Sequence, residues 1–225
     1  MELCPLGSNH LKFLWDIGND HHEFYASSVM GGQFALFLKA VYCLYLEKGD
    51  PHRGFGRDVD VWWKLPTEDD TLKKGEDRAN TQFNWDGEGS LVFIHFSRIR
   101  PEGLTDVFPE NDPVYVEIRY HRHRKGPMHT YTVEGRDLCY AVAKAVTDAL
   151  KKYGIHGYYR STGDSCDVCE GDIIDPEHLL FIKAYALGAL DARELTTIGQ
   201  DDEIFYNYAE ASPIQKEIEL LLFEM

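Results

Sequence analysis

Long apolar runs are missing from this sequence: none reaches the roughly 18–20 residues that a membrane-spanning helix needs. The first residues, MELCPLGSNHLKF, lack the basic stretch followed by an apolar run that marks a secretory signal peptide. Cysteine is scarce and odd in number, five in 225 residues, so a disulfide framework is not expected. These absences together predict a soluble, cytoplasmic protein. Internal repeats, low-complexity tracts and a clear linker are missing as well. No G-x-G-x-x-G, phosphate-binding loop, H-E-x-x-H or G-x-S-x-G occurs, so no local motif fixes a reaction. Basic residues are also short: 23 Lys and Arg face 38 Asp and Glu, a formal net charge of −15. Such an excess repels nucleic acid and anionic membranes and attracts a basic partner.

Apolar residues make up 44% of the chain and aromatics 13%, enough for a sizeable core. Periodicity is clearest between Asn80 and Gly154. Residues 81–86 alternate, with Phe83 and Trp85 on one face, and the turn Asp86-Gly87-Glu88-Gly89 follows. The run SLVFIHFSRI (90–99) is apolar on both faces, as expected of a central strand. Residues 113–121 alternate again, 128–133 form a shorter strand, and 58–65 (DVDVWWKL) read as a fifth. Leu138, Ala141, Val142, Ala145, Val146, Ala149, Leu150 and Tyr153 then trace one helical stripe, with Gly154 as its stop. A second, more apolar helix is expected from Met30 to Lys48, whereas residues 1–25 show no clear pattern beyond the anchors Leu11, Phe13, Leu14 and Trp15. The predicted fold class is α+β: an antiparallel sheet of about five strands, helices packed on it, and a helical C-terminal region.

Two parts follow from this reading. Residues 1–154 form an α+β domain of N-terminal helix, meander and closing helix, and residues 155–225 form an acidic, mainly helical region packed on the same core. Asp175-Pro176-Glu177 and Ser212-Pro213-Ile214-Gln215 are the helix starts in the second part. Charge separates along the same line. Residues 161–225 carry 15 acidic residues against three basic ones, a net −12, while residues 1–160 carry 23 against 20. Asp191, Glu194, Asp201, Asp202, Glu203 and Glu210 are expected on the outside of the C-terminal helices, and they are the candidate partner-binding residues. The competing reading is an ordinary solvated face.

The chemistry-bearing clusters are sparse. Cys166 and Cys169 form a C-x-x-C, half of a zinc site, and the nearest imidazoles, His156 and His178, stand at no recognised zinc-finger spacing. Their neighbours Asp164, Asp167 and Glu170 disfavour a thiolate and so a redox pair; the two are read as ordinary thiols, with a structural zinc as the alternative. His121 and His123 would share a face on a strand, with His129 opposite, but the interspersed Arg122, Arg124 and Lys125 argue for a solvated hairpin tip. His21 and His22, being adjacent, are not expected to face one centre. Trp62, Trp63, Trp85 and Tyr131 could stack on bases, yet their place in alternating strands reads as core and the net charge opposes nucleic acid. No catalytic residue and no cofactor are assigned.

The helix GGQFALFLKAVYCLYLEKG, the hairpin FNWDGEGSLVFIHF and the helix RDLCYAVAKAVTDALKKYG give a layout, over roughly residues 24–154, that resembles bacterial immunity proteins of polymorphic-toxin systems. That resemblance implies a non-catalytic protein that binds and neutralises one toxin. With the charge, it points to a basic, nuclease-like toxin domain as partner. The alternative is a small cytoplasmic enzyme, with or without a metal, whose site is built from scattered His, Cys and Asp residues.

Overall fold

The computed structural model describes residues 1–7, 10–27, 33–45, 59–86, 91–100, 111–121 and 126–162. Eight strands and two helices run through them: β1 (Glu2–Gly7), β2 (His10–Ile17), β3 (Asp20–Ser27), α1 (Gln33–Cys43), β4 (Val59–Lys64), β5 (Asp77–Asp86), β6 (Leu91–Arg100), β7 (Pro113–His121), β8 (Met128–Glu134) and α2 (Gly135–Thr162). The last five strands form one antiparallel sheet in sequence order, the meander that the alternation predicts. All its pairings are between chain neighbours, which run antiparallel.

Register assigns the faces. Phe83, Ile94, Ile118 and His129 form one cross-strand row, and Thr81, Phe96, Val116 and Tyr131 the next. With Trp85, Val92 and Val114 they make the inner face, and all of these but His129 and Tyr131 are buried. The outer face carries Trp62, whose ring lies flat on His95 at 5.4 Å, together with Tyr115 and Met128.

The helices cover one end of the inner face. In α1, Phe34, Phe37, Leu38, Ala40 and Val41 are all 0% exposed, so it is packed on several sides, as its composition requires. The buried Thr81 hydroxyl donates to the Ala40 carbonyl at 2.9 Å and ties α1 to the sheet. In α2 the buried residues Leu138, Val142, Ala145, Val146 and Ala149 follow the predicted stripe, and Cys139 and Ala143 widen it. Gly154 does not end this helix, which continues to Thr162. No proline stands in the residues just after Gly154, and it does not take the left-handed conformation found at Gly18 and Gly75. A glycine inside a helix costs only about 1 kcal/mol relative to alanine, too little to stop it alone.

The other end is covered by a second sheet that the sequence reading did not anticipate. Strands β1, β2 and β3 form a three-stranded antiparallel sheet. Leu3, Phe13 and Phe24 align across it, and Trp15 opposes His22. These side chains face the larger sheet: Phe13 stacks on Trp85 at 5.5 Å, and Trp15 lies 6.3 Å from Phe96. Trp85 Nε1 also donates to the Tyr25 carbonyl at 2.8 Å, which satisfies the one polar atom of a buried indole.

The β4–β5 connection is organised by Asp69, which accepts from the Thr71 amide and hydroxyl and from Arg78 Nε. The Thr71 hydroxyl and Arg78 hold its carboxyl down at about 2. Because the folded carboxyl is the stronger acid, its contribution is complete above the ordinary carboxylate range and disappears as pH falls through about 2. An NMR titration should place the Asp69 midpoint there, and Arg78→Met should move it upward.

Cys43 and Cys139 are buried. Burial pushes the Cys139 thiol up to about 12. Both are expected to resist alkylation in the folded protein and to react within the dead time once denaturant is added. Rapid labelling of either without denaturant would mean that the α1–α2 core opens on its own.

Candidate functional site

Where β3 crosses the inner face of the larger sheet, five polar side chains meet. The β2–β3 hairpin turns on Gly18 and Asn19, with Ile17 paired to Asp20 and Gly18 at φ 60°. A side chain at that φ is strained, so glycine lets the turn close in two residues. Period-two alternation then sends Asp20, His22 and Phe24 toward the core side and His21 and Glu23 away from it. His21 accordingly binds Asp16 on the neighbouring strand, at 2.6 Å and in solvent. On the larger sheet the same alternation puts Tyr120 of β7 and His129 and Tyr131 of β8 on the inner face.

The hydrogen bonds have one consistent direction. The Tyr131 hydroxyl donates to Asp20 Oδ2 at 2.6 Å, which uses its single proton. Its contact with His22 Nε2 at 2.7 Å must therefore be one it accepts, so Nε2 carries the imidazole proton. In the neutral ring Nδ1 is then the acceptor, and the Tyr120 hydroxyl donates to it at 2.7 Å. A chain of donors runs Tyr120, His22, Tyr131, Asp20, and His129 Nδ1 adds a second, longer contact to Asp20 Oδ2 at 3.3 Å.

Electrostatics support this protonation pattern. His22 is 2% exposed, and burial, followed by repulsion from His129, lowers its pKa and keeps it neutral. Burial, and then the bond to Asp20, raises the Tyr131 phenol, while burial raises Tyr120. Asp20 is lowered chiefly by the Tyr131 hydroxyl, with His129 second, so it stays a carboxylate. The imidazole is packed as well as bonded: its ring stacks on Tyr120 at 5.8 Å and meets His129 edge-on at 5.2 Å. An ionised acceptor, a neutral imidazole of fixed tautomer and two protonated phenols form an ordered proton-bearing chain between the two sheets.

The structure brings together few of the residues singled out from the sequence. His22 and His129 meet, whereas sequence proximity pairs His22 with His21 and His129 with His121 and His123. Asp20 and Tyr120 were not singled out. The only signal for them is period-two spacing, Asp20-x-His22-x-Phe24 on one strand and His129-x-Tyr131 on another, and nothing local says that the strands cross. The candidate partner-binding residues Asp191, Glu194, Asp201, Asp202, Glu203 and Glu210, together with Cys166, Cys169 and residues 122–125, lie outside the described residues. Among the described residues no helix is long and apolar enough to cross a membrane.

No protein-family model, no curated protein and no solved structure matches this chain.

Proposed function

We propose that this protein is a non-catalytic, acidic binding protein of the cytoplasm, an immunity-type inhibitor that neutralises a basic, nuclease-like toxin domain. The observation that carries this reading is the net −12 of residues 161–225, against −3 for residues 1–160. An acidic array of that kind imitates the phosphates that a nuclease binds and speeds the encounter with a basic surface. The outer face of the five-stranded sheet supports it with large side chains beside acids: Tyr115 and Met128 are exposed, and Asp60 and Glu117 stand on the same face. Partner-binding surfaces combine aromatic anchors with charged surroundings in this way.

The test begins with recovery of the partner by affinity capture from the native lysate. Reversal of Asp201, Asp202 and Glu203 to lysine is then expected to slow association at least tenfold at low salt and to flatten its salt dependence, with the fold checked by circular dichroism. Screening over ~10 Å at 0.1 M makes that range of ionic strength the informative one. An unchanged rate and an unchanged salt slope would make the acidic third a solvated face and remove the reading's support.

A second reading, an enzyme with scattered catalytic groups, is favoured by the Tyr120–His22–Tyr131–Asp20 chain, because a neutral imidazole of fixed tautomer is a general base in waiting. The two readings separate on His22→Gln, which should leave partner association intact if the binding reading holds.

A further inference from the structure

We propose that Asp20, His22 and His129 bind one divalent ion of the zinc class at the seam between the two sheets. One donor atom from each of the three lies within 4.8 Å of the other two. Donors around a tetrahedral zinc stand roughly 3.4 Å apart, so the cluster closes on an ion by side-chain adjustments of about 1 Å. Two imidazoles and one carboxylate suit zinc, cobalt or nickel, whereas calcium and magnesium prefer all-oxygen shells.

The surroundings contain what such a site requires. Asp20 Oδ2 and His22 Nε2 already converge on one small group, the Tyr131 hydroxyl, at 2.6 and 2.7 Å. An ion would take that central place at ~2.0–2.2 Å from each, with the phenol turning aside. For Nε2 to ligate, the ring proton moves to Nδ1, which then donates to the Tyr120 oxygen where it now accepts. No proton leaves the imidazole, and Tyr120 orients the ligand as a carbonyl or carboxylate does behind many metal-bound histidines. The ligands come from β3 and β8, strands of different sheets, so the ion would fasten the hairpin at Gly18 to the edge strand of the larger sheet. This site is independent of the partner-binding reading, and each can fail without the other.

The test uses the full chain, stripped with a chelator and titrated with zinc alone against a competing indicator. One equivalent is expected to bind. At ~100 times the dissociation constant, the melting temperature should rise by roughly 5–10 °C. Asp20→Asn and His129→Ala should each weaken binding by more than the ~10–100-fold that losing a supporting bond to a ligand costs, and Tyr120→Phe should fall within that range. His129 is partly exposed on an edge strand, so its variant should fold even where Asp20→Asn does not. The double variant Cys166→Ser, Cys169→Ser should bind as the parent does. Cobalt in place of zinc should give visible bands without a thiolate charge-transfer band. Absence of binding, binding unchanged by His129→Ala, or loss of binding in the cysteine variant with a sulfur band in the cobalt form would each overturn the proposal.

Discussion

Replacement of Asp112 by alanine is expected to destabilise the protein by about 3–5 kcal/mol, because it removes a buried carboxylate bonded to a buried guanidinium. Arg98 lies on the inner face of β6 and is 1% exposed, and Asp112, just before β7, is 3% exposed. Nε and Oδ1 are 2.5 Å apart. Arginine cannot escape by losing its proton, so the charge stays in a low-dielectric corner whatever the pH. The Tyr45 ring, 4.5 Å from the guanidinium, offsets part of that cost but cannot replace an anion. Backbone bonds hold the same aspartate: its amide donates to Glu134 Oε2 at 3.0 Å, and its carbonyl accepts from the Gly135 amide at 2.7 Å. Urea denaturation measures the loss, and a change under about 1 kcal/mol would show that water or another anion reaches Arg98. The double change Arg98→Met, Asp112→Leu should recover most of the stability, since removing both charges of a buried pair is often neutral. Gly135→Ala should injure the same pair. A Cβ there would stand 2.5 Å from Asp112 Oδ2 and 2.6 Å from the Tyr45 hydroxyl, so the carboxylate must move. Its cost should therefore shrink in the Asp112→Ala background, the non-additivity expected of groups sharing one contact.

The larger sheet was legible because its strands advertise themselves. Phe83 and Trp85, then Val114, Val116 and Ile118, alternate without exception. The two helices were legible for the same reason, since a stripe over several turns has no other reading. The smaller sheet was hidden by its chemistry. In β3 the first two inward positions, Asp20 and His22, are polar, so the alternation does not register as hydrophobic. In β1, Pro5 and Gly7 interrupt the pattern, and the register shifts between them. The candidate site was hidden for a related reason. His22 reads as a surface residue until it is known that β3 lies across β7 and β8. Only then do Tyr120 and Tyr131 satisfy both its nitrogens. A buried polar residue that breaks a local pattern and is fully bonded at long range is what a functional site is expected to look like.

Phe13→Ala is expected to cost about 3–5 kcal/mol, near the top of the range for a single core truncation. The ring is 0% exposed and touches both sheets and α1. Within its own sheet it stacks on Phe24 at 5.6 Å, toward the larger sheet on Trp85 at 5.5 Å, and it meets Phe34 and Phe37 of α1 edge-on at 5.3 and 5.1 Å. Its neighbours are rings held by several partners of their own, so they cannot collapse into the space it leaves. Phe37, for example, is also wedged against Trp15, Phe83 and Phe96. A cavity that stays open loses dispersion contacts on every side as well as the transfer energy of the ring. For a chain of this length the melting temperature should fall by roughly 6–20 °C. Phe13→Leu, which keeps most of the volume but loses the ring geometry, should cost clearly less. The position of Phe13 also predicts how the loss is distributed. Because one ring joins the small sheet, the large sheet and α1, amide hydrogen exchange should speed up together in β2, β5 and α1. Faster exchange confined to β1–β3, with β5 protected as before, would mean that the small sheet unfolds as a separate unit and that the aromatic cluster does not weld the layers together.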